Sequence, residues 1–182
     1  MSRLTTPAPE VLPAGAQTVL DNVGNQFGFV PGMFAMLASN PTVLDVVMTL
    51  QTALSRVLDA KTRHTIALAV SEANGCDYCL AIHSYVSSEL GGMSSDDIEL
   101  ARAGSSTDPK RAAVARFAAR LIETRGKVSD AELAAVRGAG YGDPQILAIV
   151  TVAVQALLTN YINNVNQTVV DIPSASPAAT PR

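Results

Sequence analysis

The sequence predicts an all-α protein of about six to eight helices, with a Cys-x-x-Cys pair at the N-terminus of a central helix. Three observations carry this. The 182 residues are 48 % hydrophobic but only 4 % aromatic, without Trp, so small and aliphatic side chains must do the packing. Helix-start signals recur along the chain: Asn40-Pro41, Asp59, Ser94-x-x-Asp97, Asp108-Pro109, Ser129-x-x-Glu132 and Asp143-Pro144. No stretch alternates apolar and polar residues as a strand would, and no internal repeat is visible.

Residues 1–26 carry Pro7, Pro9 and Pro13 among scattered apolar groups. They read as an extended arm with one helical turn near Ala16–Asn22. Phe27 to Met33 reads as a loop pinning large apolar side chains. Asn40 as N-cap and Pro41 at the first helical position open a helix to about Val57. Asp59 caps the next, over about 60–73, and Asn74-Gly75 ends it, because Gly accepts the left-handed conformation of a helix terminus. A helix from about Cys76 to Leu90 follows, stopped by Gly91-Gly92. Ser94-x-x-Asp97 resembles a capping box for a short helix to about Ala103. Asp108-Pro109 opens a helix to about Arg125. Ser129-x-x-Glu132 is a second capping box for a helix to about Arg137, and Asp143-Pro144 opens the last long helix, to about Asn163. The expected organisation is an arm (1–26), one domain (27–172) and a disordered tail (173–182), where Pro and Ser accumulate.

Composition bounds the function. The net charge is −3, and no basic patch with interleaved aromatics appears, which disfavours nucleic acid as a partner. The first residues lack an apolar signal-like core. The apolar run Ile146–Leu158 is broken by Thr151 and Gln155 and is short for a bilayer span. A cytoplasmic protein with no membrane partner is the expectation.

Both cysteines and one of the two histidines lie in Cys76-Asp77-Tyr78-Cys79-Leu80-Ala81-Ile82-His83. In a reducing compartment such a pair points to redox work or metal binding rather than to a structural disulfide. A helix starting at Cys76 sets its thiol against unsatisfied backbone N–H groups and the positive end of the helix dipole, which favour thiolate. Cys79 falls on the same face three residues on, and His83 one turn later can accept a thiol proton. His64 and Glu72, eight residues apart, share a face of the preceding helix, and these groups could converge into a proton relay. Each has a plainer reading: Glu72 as a solvated helix-end residue, His64 as a neighbour of Lys61 and Arg63 on a polar surface, Tyr78 as a packing group rather than a substrate contact, Asp77 as a favourable charge in a first helical turn. Two Cys and two His also match the ligand count of a zinc site. The residues between and after the cysteines suit a continuous helix rather than a zinc-binding turn, so no metal or other cofactor is expected.

The run Asn74 to His83, preceded by Ile66-Ala67-Leu68-Ala69-Val70-Ser71, resembles the signature of the carboxymuconolactone decarboxylase-like superfamily, and within it the alkylhydroperoxidase AhpD-like, peroxidase-related branch. Val30-Pro31-Gly32-Met33-Phe34 with Asn40-Pro41 is similar to that branch's opening segment. Asn160-Tyr161-Ile162-Asn163-Asn164 with Asp171-Ile172-Pro173 is similar to its closing one. The resemblance spans roughly residues 27–173.

It implies an AhpD-like helical fold, assembled as homotrimers or hexamers, and a thiol-dependent peroxidase. By that resemblance Cys79 attacks a hydroperoxide, Cys76 resolves the sulfenic acid to a disulfide, His83 relays the proton, and a dithiol reductant such as a dihydrolipoyl protein restores the pair. The helix dipole alone favours Cys76 as the nucleophile; nearness to His83 favours Cys79. Two positions depart from the branch: His64 stands where a Glu is usual, and Tyr78 where a His often precedes the second cysteine. Glu72 is the residue nearest to hand for the missing carboxylate. A dithiol–disulfide oxidoreductase or redox sensor without peroxide turnover, and a non-enzymatic module, remain open.

Overall fold

The computed structural model describes residues 2–173. Among these residues it contains nine α-helices and a short three-ten turn at Pro9–Val11, with no strand. The helices are α1 (Ala16–Phe27), α2 (Gly32–Leu37), α3 (Pro41–Leu54), α4 (Ala60–Ala73), α5 (Asp77–Glu89), α6 (Ser95–Arg102), α7 (Pro109–Glu123), α8 (Asp130–Gly138) and α9 (Asp143–Asn166). The expected tail lies outside the described residues apart from Pro173.

The cap signals work locally. Asn40 Oδ1 accepts from Val43 N at 3.3 Å, Asp59 Oδ1 from Thr62 N at 2.9 Å, and Asp108 Oδ1 from Lys110 N at 2.8 Å. Each satisfies a backbone donor that the first turn leaves without a partner, and such a cap contributes about 1 kcal/mol. Ser129 and Glu132 form a reciprocal capping box. Ser94 forms only half of one: its hydroxyl accepts from Asp97 N, while the Asp97 carboxylate accepts from Thr107 Oγ1 at 2.5 Å. Gly75, at φ +60°, ends the α4–α5 junction as its missing Cβ allows.

Three segments differ from the sequence reading. The expected arm contains the three-turn helix α1, whose Ala16, Leu20 and Val23 are buried in the core. These fall at i, i+4 and i+7, one helical face. The expected loop before Asn40 contains α2, with Met33, Phe34, Met36 and Leu37 buried. The last helix runs to Asn166, 24 residues in all, long and apolar enough by composition to cross a membrane. Here it packs against α3, α4, α5 and α7 as a core helix.

Helix α4 is the hub, touching α5, α6, α7 and α9. One core cluster joins α4, α7 and α9, where Ala69, Ala115, Ala118, Ala153 and Ala156 let the helices approach closely around Ile66, Val70, Val114 and Ile149. A second joins α1, α2 and α3 to Cys76, Tyr78 and Cys79. The cysteine pair is thus embedded in the wall of apolar packing built by the first three helices.

Candidate active site

Cys76 is the N-cap of α5. Its Sγ accepts from Cys79 N at 3.3 Å, so sulfur does the work that an Asp or Ser oxygen does at the other caps. Both thiols are buried. On the far side, Asn163 of α9 donates Nδ2 to Cys79 Sγ at 3.3 Å and to Thr159 O at 3.0 Å. Asn163 Oδ1 accepts from Thr168 Oγ1 at 2.8 Å, which fixes the amide's orientation. Asn160, one turn earlier, donates to Ser71 Oγ at 3.1 Å.

This arrangement separates two thiols of the same chemistry. The hydrogen bond from the Cys76 thiol is the largest influence on Cys79 and lowers its pKa; burial opposes it, and the side chains of Asn163 and Asn160 lower it further. The same hydrogen bond holds the proton on Cys76, which burial and the charge of Cys79 also push upward. Charge at the sulfur pair therefore resides on Cys79.

Cys79 opens on a cavity of about 410 Å³. Its walls come from six helices: Phe27 of α1, Met33 and Phe34 of α2, Met48 of α3, His64 of α4, Ile82, His83 and Val86 of α5, and Thr159 of α9, among others. Cys76 does not line it. Both imidazoles do. His83 is held at about 3, first by burial and then by the charge of His64, and burial also lowers His64, helped by the guanidinium of Arg63. Both rings are neutral at neutral pH, and burial makes His83 the weaker proton acceptor of the two.

Of the sequence candidates, the cavity therefore gathers Cys79, His83 and His64, with Cys76 directly behind. Glu72 is elsewhere. It is 43 % exposed and pairs with Arg102 of α6 at 2.7 Å, a helix-end residue on the outer surface of α4. Tyr78 faces away from the cavity: it is buried, and its hydroxyl accepts from Met33 N at 3.1 Å, tying α5 to the start of α2. Its pKa is raised, mainly by burial. Tyr78 and Cys79 are successive positions on α5, about 100° apart around the helix axis, so the two side chains leave on different sides.

Asn163 and Asn160 are the functional candidates that residue-by-residue reading missed. Asn160, Asn163 and Asn166 are all buried and recur every three residues in the long apolar helix α9. Buried amides at helical spacing in such a helix need partners, and that was the available signal. Among the described residues no group of three or more His, Cys, Asp or Glu side chains gathers at metal-ligand geometry.

Residues 41–124, which include α4 and the cysteine pair, match the model of the carboxymuconolactone decarboxylase family. That match spans 84 of the 182 residues. Among curated proteins no relative matches. Among solved structures, the chain is similar to an alkylhydroperoxidase AhpD core, an uncharacterized peroxidase-related protein from Ralstonia eutropha JMP134 (TM-score 0.84, 23 % identity, 93 % of this chain and 92 % of that one). It is similar to a second uncharacterized peroxidase-related protein, from Silicibacter sp. TM1040 (TM-score 0.81, 23 % identity, 92 % and 91 %). It is also similar to the debrominase Bmp8 in complex with 2,3,4-tribromopyrrole (TM-score 0.79, 16 % identity, 94 % of each chain). At these identities the likeness establishes the AhpD-like fold.

Proposed function

We propose that this protein is a thiol-dependent peroxidase that reduces hydroperoxides through a Cys79/Cys76 dithiol–disulfide cycle. The observation that carries the reading is the polarised pair itself: the low-pKa thiol is the one that opens on the cavity, and the proton-bearing thiol lies behind it.

The cycle balances. Cys79 thiolate attacks the distal peroxide oxygen, the O–O bond breaks, and the alkoxide leaves as an alcohol with a proton relayed by His83 or His64. Sulfur now carries the hydroxyl as a sulfenic acid. Cys76 loses its proton to a relay imidazole and attacks that sulfur; hydroxide leaves as water and the disulfide forms. An external dithiol of dihydrolipoyl type, in a cytoplasmic setting, returns two electrons and two protons. Glu72 and Tyr78 have no part in this scheme, because neither lines the cavity.

A competing reading, dithiol–disulfide exchange without peroxide turnover, is favoured by one observation. Among the described residues, the cavity lining holds no carboxylate to complete the relay. The test is a thiol titration before and after one equivalent of cumene hydroperoxide, followed by steady-state consumption with dihydrolipoamide. Peroxidase action predicts loss of both thiols, catalytic peroxide loss, and abolition of both by Cys79→Ser. Turnover surviving Cys79→Ser would overturn the assignment. A disulfide formed with oxidised lipoamide, but no catalytic peroxide loss, would establish the competing reading.

The expected homo-oligomer has a candidate surface. Leu147, Val154, Leu158, Tyr161 and Val165 of α9 are exposed, and with Thr151 they recur at alternating steps of four and three. Such a seam suits a second helix of the same kind. After Asp143, α9 has no charged residue, so a second copy can lie along it without burying a charge.

A further inference from the structure

We infer that the cavity selects organic hydroperoxides that carry a carboxylate, with Arg63 as the residue that binds the anionic group. The inference rests on the peroxidase reading and adds the substrate class.

Arg63 lies in the second turn of α4 and lines the cavity. Among the described residues of that lining it alone bears a permanent charge. It is half-buried, and among the described residues no carboxylate lies within ion-pair distance of it. A single nitrogen, Nη1, donates to Ser55 O at 2.8 Å and to Leu58 O. These backbone bonds hold the guanidinium at the turn between α3 and α4 and leave the rest of its planar donor fork for a ligand.

Among the described residues, no lining carboxylate cancels it. His64 and His83 are neutral, and apart from the Cys79 sulfur, which the peroxide end of a substrate meets, the remaining lining is apolar or amide and hydroxyl. A partly desolvated cation without a counter-ion favours an anion, and the guanidinium fork fits a carboxylate in two parallel hydrogen bonds. The volume agrees. At about 410 Å³ the cavity has room for roughly a dozen waters, far more than hydrogen peroxide occupies. Phe27, Phe34, Met48 and Val86 offer an apolar chain a dry wall. A ligand with a carboxylate at Arg63, an apolar body against that wall and its peroxide at Cys79 satisfies all three regions. The carboxylate is then kept at the α4 side and away from the Cys79 thiolate.

Octanoate and octan-1-ol differ in the charged group and share the chain, so they test the inference without any redox step. Binding of each is measured by NMR titration at fixed ionic strength on the reduced wild-type protein, Arg63→Gln and Arg63→Lys, with circular dichroism melts for all three. The expected result is octanoate preferred over octan-1-ol by about tenfold or more in the wild type, partial preference in Arg63→Lys, and none in Arg63→Gln. Equal binding of the two by the wild type overturns the inference. So does an unchanged preference in folded Arg63→Gln. If Arg63→Gln does not fold, Arg63→Lys and the salt dependence of wild-type octanoate binding decide: a preference that added salt does not weaken is not ionic, and the inference fails. A kinetic arm compares KM for a hydroperoxy fatty acid with its methyl ester. Cumene hydroperoxide turnover without anion preference leaves the peroxidase reading standing and removes this one; anion preference without peroxide turnover does the reverse.

Discussion

The Nδ2 of Asn163 lies 3.3 Å from the Sγ of Cys79, joining the last helix to the cysteine helix across 84 positions of sequence. The amide is buried and held by its other bonds to Thr159 O and Thr168 Oγ1. It cannot turn away from the sulfur, and it presents a donor where negative charge belongs.

Asn163→Ala should therefore raise the Cys79 pKa. A hydrogen bond to a charged group is worth about 1.5–3 kcal/mol, which corresponds to roughly one to two pKa units. The rate of iodoacetamide alkylation against pH, measured on a Cys76→Ser background so that one thiol reports, gives the midpoint. A midpoint that stays put would mean that Asn163 serves packing alone.

His83 makes acid stability a readout of the site. Its pKa is held at about 3 in the folded protein, against an ordinary 6.5, chiefly by burial. Between those values the unfolded chain binds a proton that the folded chain refuses. The contribution is fully present above about pH 6.5 and is lost progressively as pH falls toward 3. Urea midpoints taken from pH 7 to pH 4.5 should fall more steeply in the wild type than in His83→Gln. Parallel curves would contradict this.

Glu72→Gln should leave peroxide consumption within about twofold of wild type. Its ion pair with Arg102 is 43 % exposed on both sides, and such surface pairs contribute about 0–1 kcal/mol. A loss of activity of tenfold or more would return Glu72 to the relay.

Light scattering at micromolar concentration should find a homo-oligomer, and Val154→Glu with Leu158→Glu should shift it to monomer. Both side chains are exposed on α9, so the changes put charge into the seam while the α4–α7–α9 core stays intact. A wild-type monomer would refute the assembly outright.

Helices with chemical punctuation were legible in the sequence. Asn40-Pro41, Asp59, Asp108-Pro109 and Ser129-x-x-Glu132 each close a backbone donor within three residues, so their information is local and survives without the rest of the fold. The spacing of Cys76, Cys79 and His83 likewise pointed to one helix, which carries Cys79 and His83 and has Cys76 as its N-cap. Tertiary structure alone made α2: its Gly32 N–H donates to Asp171 Oδ2 at 2.8 Å and its Met33 N–H to Tyr78 Oη at 3.1 Å. Those caps arrive from 139 and 45 positions away, which no local pattern records. Tertiary structure alone also sorted the titratable residues, turning Glu72 outward to Arg102 while gathering His64, His83 and Cys79 around one cavity. Which of two thiols carries the charge was likewise not a local matter. The helix start by itself favours Cys76; the hydrogen bond from the Cys76 thiol and the amides of α9 lower Cys79 instead, against the opposing effect of burial, because a pKa is set by whatever surrounds the sulfur rather than by its place in the chain.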